Sequence, residues 1–426
     1  MSNLLKKDKQ YVWHPFTQMK TAEAPLEIIR AEKTKLHTAD GKSYIDCNSS
    51  WWVNVHGHGH PHLGKALSDQ FSKIDHVIFA GATHPKAVEL AERVIKILPE
   101  NQFQKVFFSD NGSTAVEVAL KMAFQYWHNK NMPKQRILAL DGAYHGDTFG
   151  AMAIGQRGYF NAPFEHFFFE VDQLEFPTKE KENALLLQAE QYFQSNEFAA
   201  IIVEPLIQGS SGMKTYSSSW LDKLLLLANK HEVLIIFDEV MTAWGRTGKM
   251  FAMNHCAHYP DIVCLSKGLT GGVMPLGLTI STDSIYNAFL ADEKTKALLH
   301  GHSFTGNALA CAVSCASLDL FERKETWHQI DFICEKNSKF ANSLKNHSKI
   351  QEVRECGTIL AIELKTEEGN TYFSSIRDIA YRYFLENGIL LRPLGNVIFI
   401  NPPYSITDEE LTKVHETIKN FIRTLE

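Results

Sequence analysis

The sequence has neither a long uninterrupted apolar run nor a block of like charge. No stretch approaches the ~20 apolar residues that a membrane-spanning helix needs, and Lys6, Lys7 and Lys9 occupy positions where a signal peptide would need its apolar stretch. The 49 acidic and 43 basic residues are mixed along the chain and leave a net charge of -6. These absences predict a cytoplasmic protein with neither a membrane nor a nucleic acid as partner.

Cysteine pairs with metal-binding or redox spacing are also missing. The seven cysteines are an odd number without a Cys-x-x-Cys pair, which is typical of free thiols in a reducing compartment. Four histidines do lie at a spacing of two: His56, His58, His60 and His62. They could chelate a metal, but the glycines and proline between them indicate an irregular loop, with no nearby cysteine or acid to complete a ligand shell. We therefore predict no metal, and a metalloprotein built on these histidines stays as an alternative.

The middle of the chain contains short, continuous apolar runs that each end in a polar or acidic residue. They lie at residues 106–108, 137–140, 199–203 and 233–237, and a helical pattern follows the first of them at 114–127. Runs that are apolar on both faces and alternate with helices predict a buried, mostly parallel α/β sheet. Such sheets bind ligands at the carboxyl ends of their strands.

The two ends of the chain have a different pattern. Residues 33–37 and 42–47 flank Asp40-Gly41, which predicts a hairpin. In the last third we expect a helix at Ala308–Phe321, a strand at 353–364 broken at Gly357, and a hairpin at 389–400 turning at Gly395-Asn396. We therefore expect a large α/β domain at 56–305 and a smaller α+β domain formed by 306–426 with a contribution from 1–55.

An acid and a lysine form the strongest chemical segment. Asp238 follows the apolar run 233–237, where an unpaired carboxylate is costly and a protonated pyridine nitrogen would be a suitable partner. Lys267 lies in the glycine-rich segment 266–272, just after a further strand expected at Asp261–Leu265. Desolvation there would lower its pKa, as a Schiff-base lysine requires. The spacing alone equally allows a buried ion pair with only a structural role.

Further candidates could bind the remaining parts of a cofactor. Gly112 and Ser113 lie between a strand and a helix, where free backbone N–H groups could bind a phosphate or merely form a capping turn. Tyr144 follows a strand and could stack on a flat ring or pack in the core.

Other candidates suit an organic substrate. Trp51 and Trp52 could form an apolar ligand wall, with core packing as the competing interpretation. Arg392, within an apolar hairpin strand, could bind a substrate carboxylate or form an internal salt bridge, and the same two possibilities hold for Arg246.

Three motifs together carry a family resemblance. Asp-Glu at 238–239, Gly-Arg-Thr-Gly at 245–248 and Ser-Lys-Gly at 266–268 match, in order and spacing, the signature of class III aminotransferases. From about Trp13 to its C-terminus, the chain resembles this ornithine-aminotransferase-like group of fold-type I pyridoxal-phosphate enzymes. The resemblance implies a mostly parallel, seven-stranded central sheet in the large domain, pyridoxal 5'-phosphate as cofactor and transaminase activity.

A narrower resemblance concerns the substrate. The biotin-pathway branch of the family is similar to this chain in segments 13–15, 50–52, 144–150, 300–304 with 306–307, 391–393 and 401–404. That branch transfers an amino group from S-adenosyl-L-methionine to 8-amino-7-oxononanoate, giving 7,8-diaminononanoate by a ping-pong mechanism. Phe16 stands where the branch commonly has tyrosine, which leaves lysine open as the donor. The alternatives are another class III ω-aminotransferase, acting on ornithine, 4-aminobutyrate or a diamine, and a non-catalytic binding protein with the same fold.

The resemblance implies a role for each candidate around the cofactor. Lys267 would hold the cofactor as a Schiff base and move the proton. Asp238 would bind the pyridine nitrogen and Tyr144 would stack on the ring. Gly112 and Ser113 would hold the phosphate.

Further roles concern the substrate and a second subunit. The residues expected to line the substrate pocket are Phe16, Trp51, Trp52 and Tyr144. Arg392 would bind the carboxylate of the keto acid. In a homodimer, the residues expected to reach the phosphate and substrate region of the neighbouring subunit are Gly301, His302 and Ser303. The last two replace a usual Pro-Thr pair.

Overall fold

The computed structural model describes residues 2–367 and 374–425. In chain order its strands are β1 (Ile28–Glu32), β2 (Lys35–Thr38), β3 (Ser43–Asp46), β4 (Lys105–Ser109), β5 (Arg136–Leu140), β6 (Val171–Leu174), β7 (Phe198–Val203), β8 (Ile207–Gln208), β9 (Lys214–Thr215), β10 (Leu234–Asp238), β11 (Ile262–Leu265), β12 (Gly277–Ser281), β13 (Ile350–Cys356), β14 (Ile359–Leu364), β15 (Ile389–Leu390) and β16 (Val397–Ile400). The α-helices are α1 (Asn3–Tyr11), α2 (Ser49–Trp52), α3 (Pro61–Phe71), α4 (Pro85–Ile97), α5 (Gly112–Asn129), α6 (Phe149–Ile154), α7 (Glu182–Gln194), α8 (Ser218–Lys230), α9 (Asp283–Asn287), α10 (Ala308–Phe321), α11 (Lys324–Ser343), α12 (Ile376–Glu386) and α13 (Asp408–Arg423).

Seven strands form the central sheet in the order β4-β12-β11-β10-β7-β5-β6. β12 is antiparallel to both of its neighbours, β11 and β4, whereas the pairs among β11, β10, β7, β5 and β6 are parallel. Every residue of β7, β10 and β11 is buried, because helices cover both faces of such a sheet. The predicted α/β class with a mostly parallel, seven-stranded sheet is confirmed.

Helix α5 begins at the end of β4 and packs on this sheet. The side chain of Asn111 accepts a hydrogen bond from the backbone N–H of Thr114, and the Thr114 hydroxyl accepts one from the Asn111 N–H, so the two residues form a capping box. The apolar face of the helix, which includes Val116 and Trp127, is buried against the sheet. The predicted helix at 114–127 is therefore confirmed, with a slightly greater length at both ends.

Two smaller sheets contain the remaining long-range strand pairs. The first has the order β1-β2-β3-β15, so the C-terminal third of the chain adds a strand to the predicted and confirmed N-terminal hairpin. The second has the order β13-β14-β16. The pairing of β15 with β3 joins the two ends of the chain, while the domain boundaries at 55/56 and 305/306 stay a prediction.

Two expectations for the last third are wrong in detail. Residues 350–364 form two antiparallel strands that turn at Gly357, rather than one broken strand. Gly357 has a φ of +59°, and a side chain there would collide with the backbone of Thr247, so only glycine suits this turn. The turn near Gly395 exists between Leu394 and Val397, but β15 pairs with β3 and β16 with β14, so the flanking strands belong to different sheets. The helix at Ala308–Phe321 is confirmed.

Among residues 2–367 and 374–425, no helix combines the length and apolarity needed to cross a bilayer.

Candidate active site

A cavity of about 400 Å³ opens at the carboxyl ends of β7, β10 and β11. The end of a parallel sheet is where its strands deliver polar side chains next to one another. The sequence-predicted residues that line the cavity are Trp52, Gly112, Ser113, Tyr144, Asp238 and Lys267. These six residues come from five separate segments of the chain and are thus brought together in one place.

Lys267 lies two residues beyond the end of β11, at the start of a tight helical turn. Its φ of +48° is in the left-handed region, an uncommon backbone conformation for a non-glycine residue that costs roughly 1–3 kcal/mol and is found mainly at functional sites. Its Nζ is 4.6 Å from the centre of the Trp52 ring. Burial lowers the pKa of Lys267 to about 8, although the carboxylates of Asp238 and Glu204 act in the opposite direction. A large fraction of the amine is therefore neutral, and so nucleophilic, near pH 8.

Asp238, the last residue of β10, is buried at the bottom of the cavity. One carboxylate oxygen lies 2.7 Å from Nδ1 of His145, and the other accepts a hydrogen bond of 3.1 Å from the backbone N–H of Val240. His145 itself is buried, and within the described part of the chain its Nε2 has no hydrogen-bond partner. The imidazole therefore fixes the orientation of the Asp238 carboxylate, and the carboxylate can still accept a further hydrogen bond.

At the start of α5, glycines leave the backbone of the cavity wall open to close approach by a ligand. A Cβ atom on Gly112 would lie 2.6 Å from Cγ1 of Val240, and one on Gly146 would collide with the Ser113 hydroxyl. The first N–H groups of a helix have no acceptor within the helix, and the positive end of the helix dipole favours an anion. The N-terminus of α5, a neutral amine and a buried acid are complementary partners for the phosphate, the aldehyde and the ring nitrogen of pyridoxal phosphate, respectively. The residues present therefore fit this cofactor.

The mouth of the cavity is built from loops. Trp52 is buried in the cavity wall, whereas Trp51 is 46% exposed on the other side of the same turn. The Trp51 ring lies 5.5 Å from the ring of Phe16 and 5.4 Å from the guanidinium of Arg392. The expectation that Arg392 lies inside an apolar strand is wrong, because β15 ends at Leu390 and the arginine follows it as an exposed residue. No acid in the described residues pairs with it, so its charge is available to a ligand.

The family model for class III aminotransferases matches residues 17–422. The chain belongs to the class III aminotransferase family. Members of this family are pyridoxal-phosphate-dependent transaminases, so the cofactor expected from the sequence is that of the family.

Several relatives of this aminotransferase have the same enzyme name, and the similarity extends over nearly their whole length. An adenosylmethionine-8-amino-7-oxononanoate aminotransferase of Synechococcus elongatus is 44% identical, over 97% of this chain and 98% of the relative. The enzyme of that name from Staphylococcus aureus is 37% identical, with 99% and 98% covered.

Solved structures agree with the family assignment. The crystal structure of the enzyme of the same name from Methanocaldococcus jannaschii superposes with a TM-score of 0.93 at 35% identity, over 99% of this chain and 98% of that one. An omega transaminase from Pseudomonas jessenii, in complex with PMP, has a TM-score of 0.89 at 26% identity, over 98% and 97%.

Arg246 of this aminotransferase lies outside the cavity. It is buried, donates a hydrogen bond of 2.8 Å to the Pro402 carbonyl, and lies 5.2 Å from the centre of the Tyr404 ring. Within the described residues, no acid forms a salt bridge with Arg246. The arginine instead joins the segment after β10 to the segment after β16.

The four histidines each have a separate partner. His56 contacts Ser317, His58 contacts Asp46, His62 contacts Asp319, and His60 caps the start of α3. Burial lowers the pKa of His56 to about 3. Across residues 2–367 and 374–425, no group of three or more histidines, cysteines or acids is placed to hold a metal ion.

Residues 301–303 do not line the cavity of their own chain. The Ser303 carbonyl lies 2.6 Å from Nε2 of His76, and the Thr305 hydroxyl accepts a hydrogen bond from the His302 N–H. The next residue, Phe304, is 62% exposed. The role of Gly301, His302 and Ser303 at a neighbouring subunit stays a prediction.

Glu204 also lines the cavity, although it was not among the residues predicted from the sequence. It directly follows β7, its side chain is buried, and its two carboxylate oxygens accept hydrogen bonds of 3.0 Å from the backbone N–H groups of Tyr144 and Gly209. Burial raises its pKa to about 7. The signal that could have found it is the one that identified Asp238: an acid placed directly after an apolar run.

Proposed function

We propose that this aminotransferase transfers an amino group from S-adenosyl-L-methionine to 8-amino-7-oxononanoate, giving 7,8-diaminononanoate. The relatives that carry this name support the proposal, since they match nearly the whole chain at 35–44% identity. The structural observation that carries it is the exposed Arg392 beside the Trp51 ring. A cation next to an apolar wall suits a substrate with a long hydrocarbon chain that ends in a carboxylate.

The residues of the cavity divide the work between them. When bound, pyridoxal phosphate supplies the aldehyde and the electron sink that store the amino group between the two half-reactions. Lys267, with its amine near neutrality, accepts a proton from the substrate carbon and returns it. Asp238, oriented by His145, provides the fixed negative charge that keeps a facing ring nitrogen protonated. Trp52 shields the amine from water.

Tyr144 and the start of α5 hold the other parts of the cofactor in this proposal. The Tyr144 hydroxyl donates a hydrogen bond of 2.8 Å to Asp147, and its backbone N–H is held by Glu204, so the ring has a fixed position in the cavity wall. The side-chain hydroxyl of Ser113 accepts a hydrogen bond from the Asp147 N–H, which joins the two segments. Gly112 and Ser113 then bind the phosphate through their backbone N–H groups.

We also propose a cytoplasmic homodimer in which residues 301–303 complete the neighbouring subunit's site. The exposed Leu299 and Phe304 on either side of this segment support the proposal, since large apolar side chains gain from being covered. The free state of all seven cysteines fits a reducing compartment.

A second donor, lysine, is favoured by one observation. Phe16 packs against Trp51 at the mouth and offers no hydroxyl to a polar donor. The experiment is a donor screen that follows the cofactor absorbance with S-adenosylmethionine and then with lysine, and supplies 8-amino-7-oxononanoate after each. Conversion by lysine alone would replace the donor, and conversion only by ornithine, 4-aminobutyrate or a diamine would replace the proposed function.

A further inference from the structure

The side chain of Asp46 is fully buried at the end of β3, next to the turn that carries the two tryptophans. Its Oδ1 accepts a hydrogen bond of 3.1 Å from the Asn48 N–H, and its Oδ2 accepts one of 2.7 Å from the Ser50 N–H. Nε2 of His58 lies 2.8 Å from the same Oδ2. A single carboxylate thus holds two backbone groups of the turn, while a histidine from the histidine-rich loop holds the carboxylate.

The turn held in this way is the short segment α2 (Ser49–Trp52), whose backbone is not helical throughout. Ser49, Ser50 and Trp52 have φ values of +49°, +59° and +66°, a region that non-glycine residues adopt only when their surroundings enforce it. This conformation sends consecutive side chains in opposite directions. Trp52 faces the Lys267 amine in the cavity, whereas Trp51 faces the Arg392 guanidinium at the mouth.

Asn48 connects the same turn to the segment that carries Arg392. Its Oδ1 accepts a hydrogen bond of 2.7 Å from the backbone N–H of Arg392, and its Nδ2 donates one of 3.3 Å to the Phe399 carbonyl. The Ser49 hydroxyl donates one of 2.8 Å to the Asn401 carbonyl. The backbone segments that carry the aromatic wall and Arg392 lie more than 300 residues apart in sequence. They are therefore fixed relative to each other by three hydrogen bonds made by the side chains of Asn48 and Ser49.

We propose that Asp46 and Asn48 are positioning residues for recognition of the amino acceptor, and that His58 keeps Asp46 in place. The inference deepens the proposed function and rests on it, because the carboxylate-bearing keto acid is the ligand that needs Trp51 and Arg392 together. Neither positioning residue lines the cavity, so neither touches the reacting atoms. Trp52 is also held by its burial against Phe399, whose ring lies 6.0 Å away, whereas Trp51 is exposed. Loosening the turn therefore displaces Trp51 first, which weakens acceptor binding and leaves the proton transfer at Lys267 largely intact.

The first test replaces the histidine in the holoenzyme. For His58→Ala we expect the KM for 8-amino-7-oxononanoate to rise about tenfold, with kcat changed less than about twofold, because binding is lost without loss of chemistry. His58→Gln restores most of the affinity, since its amide can donate to Asp46. The matched control is His62→Ala, which removes a histidine–aspartate pair of 2.7 Å away from the turn and leaves KM unchanged.

A second variant guards against misfolding of the first. Asn48→Ala keeps Asp46 and His58 but releases the Arg392 backbone, so it raises the same KM while the cofactor absorbance of the holoenzyme stays that of the wild type. An unchanged KM in both His58→Ala and Asn48→Ala, with wild-type turnover intact, would overturn this inference alone. A wild-type enzyme that does not aminate 8-amino-7-oxononanoate would overturn the proposed function and this inference with it.

Discussion

The bottom of the cavity and its mouth are constructed in different ways. Asp238 is the buried last residue of β10, and the half-buried Lys267 follows the neighbouring parallel strand β11. Phe16, Trp51 and Arg392 come from irregular segments and stay partly exposed. The sheet therefore fixes the residues for the chemistry that is common to a family. The substrate is selected by turns, which can vary in sequence without disturbing the core.

The largest effect should come from the amine at the bottom of the cavity. Lys267→Ala removes the group that binds the cofactor covalently and moves the proton, so we expect kcat to fall by at least about 10⁴-fold. Borohydride reduction followed by mass spectrometry should trap the cofactor on the wild-type protein and not on the variant. Lys249→Ala, an exposed lysine that bonds the Asn254 carbonyl, serves as the control and should keep full activity. Near-normal turnover by Lys267→Ala would remove the mechanism.

The neighbouring acids Asp238 and Glu239 allow a sharp contrast within one segment. Asp238→Asn removes the negative charge facing the cofactor, and we expect kcat to fall by about 10²–10³-fold. Glu239 is equally buried but accepts hydrogen bonds from the Ala252 and Met253 N–H groups instead of lining the cavity. Glu239→Gln should therefore lower the unfolding temperature and reduce kcat much less than Asp238→Asn does. Equal losses of kcat in the two variants would show that the acid at the strand end has no special role.

The same contrast explains what could be predicted from the sequence. Asp238 and Lys267 each follow an apolar run that is typical of a buried strand. Because an isolated buried charge is costly, both side chains were expected at the end of the sheet, where they can meet a partner. Sequence alone did not exclude a structural ion pair, because spacing says nothing about which side chains face a cavity. Glu204 was missed although it follows its strand in the same way.

The mouth was predicted less well for a physical reason. The side-chain directions of Trp51 and Trp52 depend on positive φ values at Ser49, Ser50 and Trp52, which no periodicity encodes. Arg392 was assigned to a hairpin strand because its neighbours are apolar, but β15 pairs with β3 from the other end of the chain. Long-range pairing of this kind overrides local pattern.

At the mouth, Arg392→Ala should affect binding and spare the chemistry. A charge-assisted hydrogen bond contributes about 1.5–3 kcal/mol, so the KM for 8-amino-7-oxononanoate should rise about 10–100-fold. The rate of the half-reaction with an amine donor that lacks a carboxylate should change little. Steady-state kinetics with this amine and with 8-amino-7-oxononanoate measures the difference. The control is Arg382→Ala, which removes an exposed arginine paired with Glu23. An equal loss with both substrates would contradict a role in carboxylate recognition.

The pH dependence of cofactor uptake tests the electrostatics of the bottom. Burial lowers the pKa of Lys267 to about 8, and its neutral form, which predominates above that pH, is the nucleophile. The rate at which the apoprotein binds pyridoxal phosphate should therefore rise about tenfold per pH unit below pH 8 and level off above it. Glu204 raises the lysine's pKa, so Glu204→Gln should move the plateau to lower pH. A plateau that does not move would contradict this coupling.

Phe16→Tyr should give the smallest effect and bears directly on the donor. The Phe16 ring lies 5.5 Å from Trp51 and 6.0 Å from Phe160, so a hydroxyl added at its edge would join the wall of the mouth without touching the bottom of the cavity. One net hydrogen bond is worth about 0.5–1.5 kcal/mol, which corresponds to a roughly two- to tenfold lower KM for a polar donor. We expect this gain for S-adenosylmethionine and none for the keto acid, with Phe160→Tyr as the control. A lower KM for both substrates would mean that this residue does not distinguish the donor from the acceptor. Arg392 would then be the one residue supporting the contrast between the reactive bottom of the cavity and its substrate-selecting mouth.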